Sequence, residues 1–303
     1  MNTPVSEAAV LDALRVVRDP DLNRDIVALK FIKNLRIDER GAVAFSIELT
    51  TPACPVKDQM RDQARQAVSA IPGVTSVEIE MTAQVRSTSN VDSAKTPVAG
   101  VKNIIAVGAG KGGVGKTTVA VNLAIALTQM GSRVAMIDGD VYGPNVPIML
   151  GIQTELGTDG RRIVPAEQFG IQLVSMAFMT KDDTPIIWRG PMLHGAIQQF
   201  FRDVRWNNID YLIVDMPPGT GDIALSLSQS VPVAGAVLVT TPQQVSLADT
   251  RRAIHMYRKL NIPPIGLLEN MSHFECAECG ARISPPDPQR LRRRGWRETE
   301  RGR

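Results

Sequence analysis

Apolar positions along residues 6–86 switch period several times. Val10, Leu11, Leu14 and Val17 recur at helical spacing behind Ser6, whose hydroxyl can accept from a first-turn N–H, so a helix is expected to begin there. In "VAFSIEL" the spacing becomes two: Val43, Phe45, Ile47 and Leu49 share one face, while Ala44, Ser46 and Glu48 share the other. That pattern predicts a half-buried strand. Met60, Ala64, Ala67, Val68 and Ile71 make a second helical stripe, stopped by Pro72 and Gly73, and "VTSVEIEM" alternates again. Residues 1–86 therefore read as a small α/β domain. Residues 87–100, "STSNVDSAKTPVAG", are polar and small with no period, and read as a linker.

From residue 101 the pattern becomes a series of short, nearly continuous apolar runs: "NIIAVGA", "RVAMID", "YLIVDM", "GAVLVTT" and "IGLLEN". Helical stretches separate them. Runs of this kind suit parallel strands covered on both faces, so residues 101–281 are expected to form an α/β domain with a parallel sheet. Gly and Pro cluster just after the runs, where such a sheet presents its loops to ligands.

Composition narrows the class. With 303 residues, 44% hydrophobic and 21% charged, the chain is long and apolar enough to bury sizeable cores. Its longest apolar runs, such as "AGAVLVTT" and "NLAIAL", fall short of the roughly 20 residues a membrane helix needs. The first residues lack a basic stretch ahead of an apolar one, so no secretory signal is expected. Three cysteines, an odd number, argue for a reducing compartment, which points to the cytoplasm. Charge is concentrated at the C-terminus: residues 282–303 hold 8 Arg and 3 acids, a net of +5, which leaves −2 for residues 1–281 of a chain that is +3 overall. The body therefore has no bias toward nucleic acid.

The stretch "NIIAVGAGKGGVGKTTVAVNLAIAL" reads as strand, glycine loop and helix. Gly110, Gly115, Lys116 and Thr117 satisfy the G-x-x-x-x-G-K-[ST] spacing in that context. Residues Gly110, Lys111, Gly112, Gly113, Val114, Gly115, Lys116, Thr117 and Thr118 would wrap the phosphates of ATP at the positive end of the helix. Lys116 would reach the β and γ phosphates, and the Thr117 hydroxyl would sit on Mg²⁺. Asp138 and Asp215 each close an apolar run. A carboxylate there can be a turn former or a helix cap, but after a phosphate loop it can also serve a metal. Lys111 gives the loop a second lysine. Its spacing resembles that of the deviant-Walker ATPases, the family of the nitrogenase iron protein and the division-site protein MinD.

That resemblance implies a MinD-like P-loop fold and a homodimer in which Lys111 reaches the partner's nucleotide. It also implies roles for further residues. "MIDGDVYGPN" resembles the first switch, with Asp140 orienting the attacking water and Asp138 near the metal. "YLIVDMPPGTGD" carries the Walker B carboxylate, Asp215, which would hold Mg²⁺ through water, and then a second switch at Pro217, Pro218 and Gly219. In "LLENMS", Asn270 stands where related ATPases read adenine.

The remaining chemistry lies in "HFECAECG". Cys276 and Cys279 are spaced as half a zinc site, as a redox pair, or as half a cluster site. Within one chain, His273 is a possible third ligand, and Cys54 a fourth only if the N-terminal domain folds over. The simplest route to four thiolates is two chains, each giving Cys276 and Cys279 to a [4Fe–4S] cluster on the dimer axis.

Taken together, "GKGGVGKTT", "DGDVYGPN", "IIWRGPMLHGAIQQF", "VDMPPGTGD", "VTTPQQVSLADTRRAI", "LLENMS" and "CAEC" are closely similar to the Mrp/ApbC family of iron–sulfur cluster carriers. The resemblance implies ATP hydrolysis coupled to delivery of a cluster to apo iron–sulfur proteins, exchange with cluster scaffold proteins, and no membrane or specific nucleic-acid partner. Residues 6–86 resemble the small metal–sulfur cluster assembly domain, whose characteristic cysteine matches Cys54 in "TTPACPVKDQM". A thiol just ahead of a helix favours its thiolate. Family members usually continue well past the cysteine pair, whereas residues 282–303 here are basic and aperiodic. The tail reads as disordered, and either as a truncated or frame-shifted end or as a native arm. On the first reading an open sheet edge with exposed apolar surface is expected. Two rival readings are a MinD- or ParA-like positioning ATPase acting as a spatial switch, and a plain scaffold that neither turns over ATP nor dimerises.

Overall fold

The computed structural model describes residues 5–20, 22–85, 87, 95–140, 143–153, 156–179, 190–219 and 222–283. The basic tail from residue 284 and half of the linker, residues 88–94, lie outside these. The chain divides into two compact units, Met1–Arg86 with Met130–Ser132, and the remainder.

In the first unit α1 (Glu7–Leu14) starts as the pattern predicts, with Ser6 Oγ accepting from the Ala9 N–H at 3.2 Å. Strands β1 (Ile32–Ile37), β2 (Ala42–Leu49) and β3 (Ser76–Ala83) form one sheet, antiparallel between β1 and β2 and parallel between β2 and β3. Helix α2 (Lys57–Ser69) turns Met60, Ala64 and Val68 into the same core as Val43, Phe45, Ile47 and Leu49. Ser46, expected on the polar face, is buried as well. It accepts from Asn34 Nδ2 at 3.1 Å and donates to the Lys33 carbonyl at 3.3 Å, so its hydroxyl is satisfied without water.

The second unit is built on β4 (Val101–Ala109), α3 (Lys116–Gln129), β5 (Val134–Asp138), α4 (Val146–Leu150), β6 (Ala166–Gln168), β7 (Ile171–Ser175), α5 (Gly190–Arg202), β8 (Ile209–Asp215), α6 (Asp222–Ser230), β9 (Gly235–Thr240), α7 (Gln244–Lys259) and β10 (Pro264–Glu269). The seven strands run in the order β6–β7–β5–β8–β4–β9–β10, and every pairing but β6–β7 is parallel. All five apolar runs are strands. Alternate residues of β4 serve opposite faces: Ile104 and Ala106 join the core under α5, α6 and α7, while Val107 and Ala109 join the core under α3 and α4. This is a P-loop architecture on a mostly parallel sheet, preceded in the sequence by a small α/β unit.

At the starts of the strands, Asp210 binds Lys102 Nζ at 2.8 Å and the Arg133 guanidinium at 2.8 and 3.0 Å. Burial alone would raise its pKa; the bonds from Arg133 and Lys102 overcome this and hold it far below the usual carboxylate range. The opposite ends of the strands carry the loops described below. Strand β10 closes the sheet on one side, with Ile265 and Leu267 56% and 58% exposed. Beyond it, β11 (Phe274–Glu275) and β12 (Arg282–Ile283) form a separate hairpin around the cysteine pair. Arg282 and Ile283, assigned to the tail by composition, are thus part of this hairpin, because their backbones pair with Glu275 and Phe274. Among the described residues no helix is long and apolar enough to cross a membrane.

Candidate functional site

The phosphate loop joins β4 to α3, as the strand–glycine–helix pattern requires. Three of its glycines are needed by geometry. Gly113 and Gly115 have φ of 78° and 83°. At Gly110 a Cβ would lie 2.4 Å from backbone of Asp249 in α7, an approach only glycine permits. Around the loop lies a pocket of about 230 Å³ lined by Lys111, Gly112, Gly113, Gly115, Lys116, Thr117, Thr118, Asp140, Gly143, Asn145 and Pro218.

Beneath this pocket the charged groups are buried. Lys116 is 6% exposed and Asp215 is fully buried. Lys116 Nζ donates to Asp215 Oδ1 at 2.6 Å and to Thr117 Oγ1 at 3.3 Å, and stands 3.9 Å from Asp140 Oδ2. Burial pushes the Asp215 carboxyl up, with Lys116 and the Thr117 hydroxyl pulling against it. Among the described residues Asp215 Oδ2 is buried with no hydrogen-bond partner. An orphaned carboxylate oxygen beside a threonine hydroxyl is an all-oxygen donor set, which fits Mg²⁺. Here Lys116 supplies the positive charge that the carboxylate needs.

Asp138, expected near the metal, is fully buried and engaged elsewhere. Its Oδ2 accepts from Ser175 Oγ at 3.0 Å and from the Val146 N–H at 3.2 Å, and its Oδ1 from the Asp140 N–H at 3.3 Å. Burial first, and then the Asp215 charge, push its carboxyl up to about 7. Asp138 therefore shapes the backbone that carries Asp140 and starts α4. Ser175, its partner from β7, was not singled out in the sequence; no spacing relates it to Asp138, and only the adjacency of β5 and β7 brings them together.

Asn270, expected at the adenine, donates from Nδ2 to the Val114 carbonyl at 2.9 Å. Lys111 lines the pocket, half-buried.

The cysteine hairpin is a separate construction. Gly280 at φ 67° lets its N–H donate to the Cys276 carbonyl at 2.8 Å, while the Cys276 N–H donates to the Ala281 carbonyl at 3.0 Å. This turn aims the N–H groups of Cys279 and Glu278 at the Cys276 sulfur. Those two N–H groups, then the Cys279 thiol, hold Cys276 below the usual thiol range. Both thiols are free, Cys276 half-buried and Cys279 exposed. Among the described residues no three His, Cys, Asp or Glu side chains come together as a metal site, so His273 does not complete one here. Cys54 is also free, half-buried against the core of the first unit, ahead of α2.

The profile of the NUBPL iron-transfer P-loop NTPase family matches residues 100–288, and that of an iron–sulfur cluster assembly protein family matches residues 7–80. An iron–sulfur cluster carrier protein of Synechocystis sp. is 49% identical over 271 residues, covering 88% of this chain and 76% of the relative. A protein of the same description from Deinococcus radiodurans is 49% identical over 275 residues, covering 90% and 77%. Among solved structures, a nucleotide-binding protein from Archaeoglobus fulgidus in complex with ADP is 32% identical with a TM-score of 0.56, covering 67% of this chain and 80% of that one.

Proposed function

The chain belongs to the NUBPL iron-transfer P-loop NTPase family, and from that membership we propose that it is an ATP-hydrolysing carrier that takes up a [4Fe–4S] cluster between two copies of itself and delivers it to apo-proteins. The observation that carries this reading is the hairpin of residues 274–283. It presents two thiols, one of them acidified by backbone N–H groups, with Cys279 open to solvent. A thiolate, not a thiol, ligates iron. One chain offers half of a four-thiolate set, and two chains related by a dyad complete it.

On this reading the buried charges serve ATP. Lys116 exchanges Asp215 for the phosphates, Lys111 reaches into the partner's nucleotide, and Asp140 orients the attacking water. Thr117 and Asp215 would hold Mg²⁺, which when bound neutralises phosphate charge. Cluster scaffold proteins upstream and apo iron–sulfur proteins downstream are the partners this role requires. The names of the relatives favour a carrier over the positioning-ATPase alternative, which ATP-dependent pelleting with vesicles or DNA would revive.

The test is made on protein purified and reconstituted without oxygen. Iron, sulfide and visible absorbance are expected in the stoichiometry of one [4Fe–4S] cluster per two chains, and Cys276→Ala or Cys279→Ala abolishes them. Absence of absorbance, or absorbance indifferent to both substitutions, sinks the carrier reading.

A further inference from the structure

Asn270 follows the last residue of β10, and its side chain reaches back to the phosphate loop. The Nδ2–Val114 bond, at 2.9 Å, joins residues 156 positions apart. Its Oδ1 accepts from the Met271 N–H at 2.9 Å, and Met271 takes a left-handed φ of 54°. The main chain of Asn270 is anchored too: its N–H donates to the Thr240 carbonyl of β9 at 2.8 Å. Glycine at position 115 makes the approach possible, since a Cβ there would lie 2.3 Å from Asn270 Nδ2. One amide therefore grips the loop that wraps phosphates and the first residue of the segment leading to the cysteines. Only Ser272 and His273 separate Met271 from β11. Cys276 stands six positions after Asn270, a reach of at most about 21 Å.

A nucleotide seated in the pocket would lie against Gly113 and Gly115, the two neighbours of Val114. Coupling between two sites requires an element whose arrangement both of them bias. The Asn270 amide is such an element, bonded to one site and continuous with the other. We propose that Asn270 is a positioning residue that ties the geometry of the Cys276/Cys279 pair to the nucleotide state of the phosphate loop. This deepens the carrier reading and rests on it for its purpose: the grip on a cluster would follow ATP, and by linkage a loaded thiol pair would alter nucleotide affinity by the same factor. The assignment replaces adenine reading as the task of this side chain.

The experiment needs no cluster. Full-length reduced protein is treated with a chromogenic aromatic disulfide, with and without Mg-ATP. Modification at Cys276 and Cys279 is followed peptide by peptide in the mass spectrometer, so that Cys54 does not contribute. Mg-ATP is expected to change the rate at the pair by about fivefold or more, and Asn270→Ala to bring that ratio close to one, with the preference for ATP over GTP held within about threefold. Asn270→Asp keeps the acceptor for the Met271 N–H, loses the donor to Val114 and adds a negative charge facing that carbonyl. It should behave as the alanine variant does, and it decides the matter if the alanine variant does not fold. Three results overturn the proposal: thiols of the unsubstituted protein indifferent to Mg-ATP, variants that retain the full effect, or variants that lose ATP preference while keeping the effect. Thiol coupling in a protein that takes up no iron supports the link while sinking the carrier reading, so the two failures are distinguishable.

Discussion

At the end of β8 a carboxylate with no exposed surface holds an ammonium at 2.6 Å, and sheet, helix and loop close around them. Beyond β10, two short strands hold out a pair of thiols, and Phe274 beside them is 65% exposed. Both places are junctions of strand and loop in the same unit. The first is dry and internally compensated, so its chemistry is set by desolvation. The second is wet, and its one shifted thiol owes its acidity to backbone N–H groups. The contrast teaches that the charges beneath the phosphate loop are pre-organised within one chain, whereas the thiol pair is a presentation surface, open to the further ligands that the proposed function assigns to it.

The sharpest way to break this contrast is to remove charge and sulfur in parallel and compare stabilities. Taking away one member of a buried ion pair leaves the other uncompensated, so Lys116→Ala is expected to lower the stability of the second unit by about 3 kcal/mol without nucleotide. Cys276→Ala and Cys279→Ala should each stay within about 0.5 kcal/mol. Urea denaturation followed by tryptophan emission reads the right unit, since all three tryptophans lie after residue 133 and Trp206 is buried. Cysteine variants as costly as the lysine variant would mean the hairpin has a core of its own.

A smaller effect sharpens the dry side of the comparison. The Asp138 carboxyl titrates at about 7 in the folded chain against an ordinary 3.8, so the folded state holds this proton more tightly than the unfolded one. Stability therefore falls as pH rises from about 4 to about 7, and above that this group adds no further slope. Asp138→Asn should flatten the dependence. Relative to the unsubstituted protein, it should gain more than about 1 kcal/mol between pH 5 and pH 8; equal slopes in the two proteins would show that Asp138 is not the group responsible. Smallest in stability is Lys111→Ala, within about 0.5 kcal/mol because its side chain lines the open pocket. Sedimentation with Mg-ATP should nevertheless show this variant as a monomer where the unsubstituted chain dimerises. A dimer that survives the substitution would remove Lys111 from the interface.

Much of this was legible in the sequence, for identifiable reasons. Four of the five apolar runs announce themselves as strands because both sheet faces are covered there. Strand β10 is legible from its apolar run although Ile265 and Leu267 stay exposed. The phosphate loop is legible because glycine spacing follows from backbone geometry. What stayed hidden depends on distant neighbours. Ala166–Gln168 and Ile171–Ser175 are short, and only their place beside β5 makes them sheet. Ser175 meets Asp138 across 37 residues, and Asn270 meets Val114 across 156. Ser46 looked like a solvent-facing residue of an alternating strand because nothing local shows that Asn34 and Lys33 satisfy its hydroxyl.

Strand β10 ends the sheet with one rim unpaired among the described residues, and Ile265, Leu267 and Leu268 stand out from it. A bare rim with greasy side chains is a template on which any extended peptide can lay itself. Purified samples are therefore best kept dilute and cold-chain transfers brief, because shelf life will shorten with every concentration step.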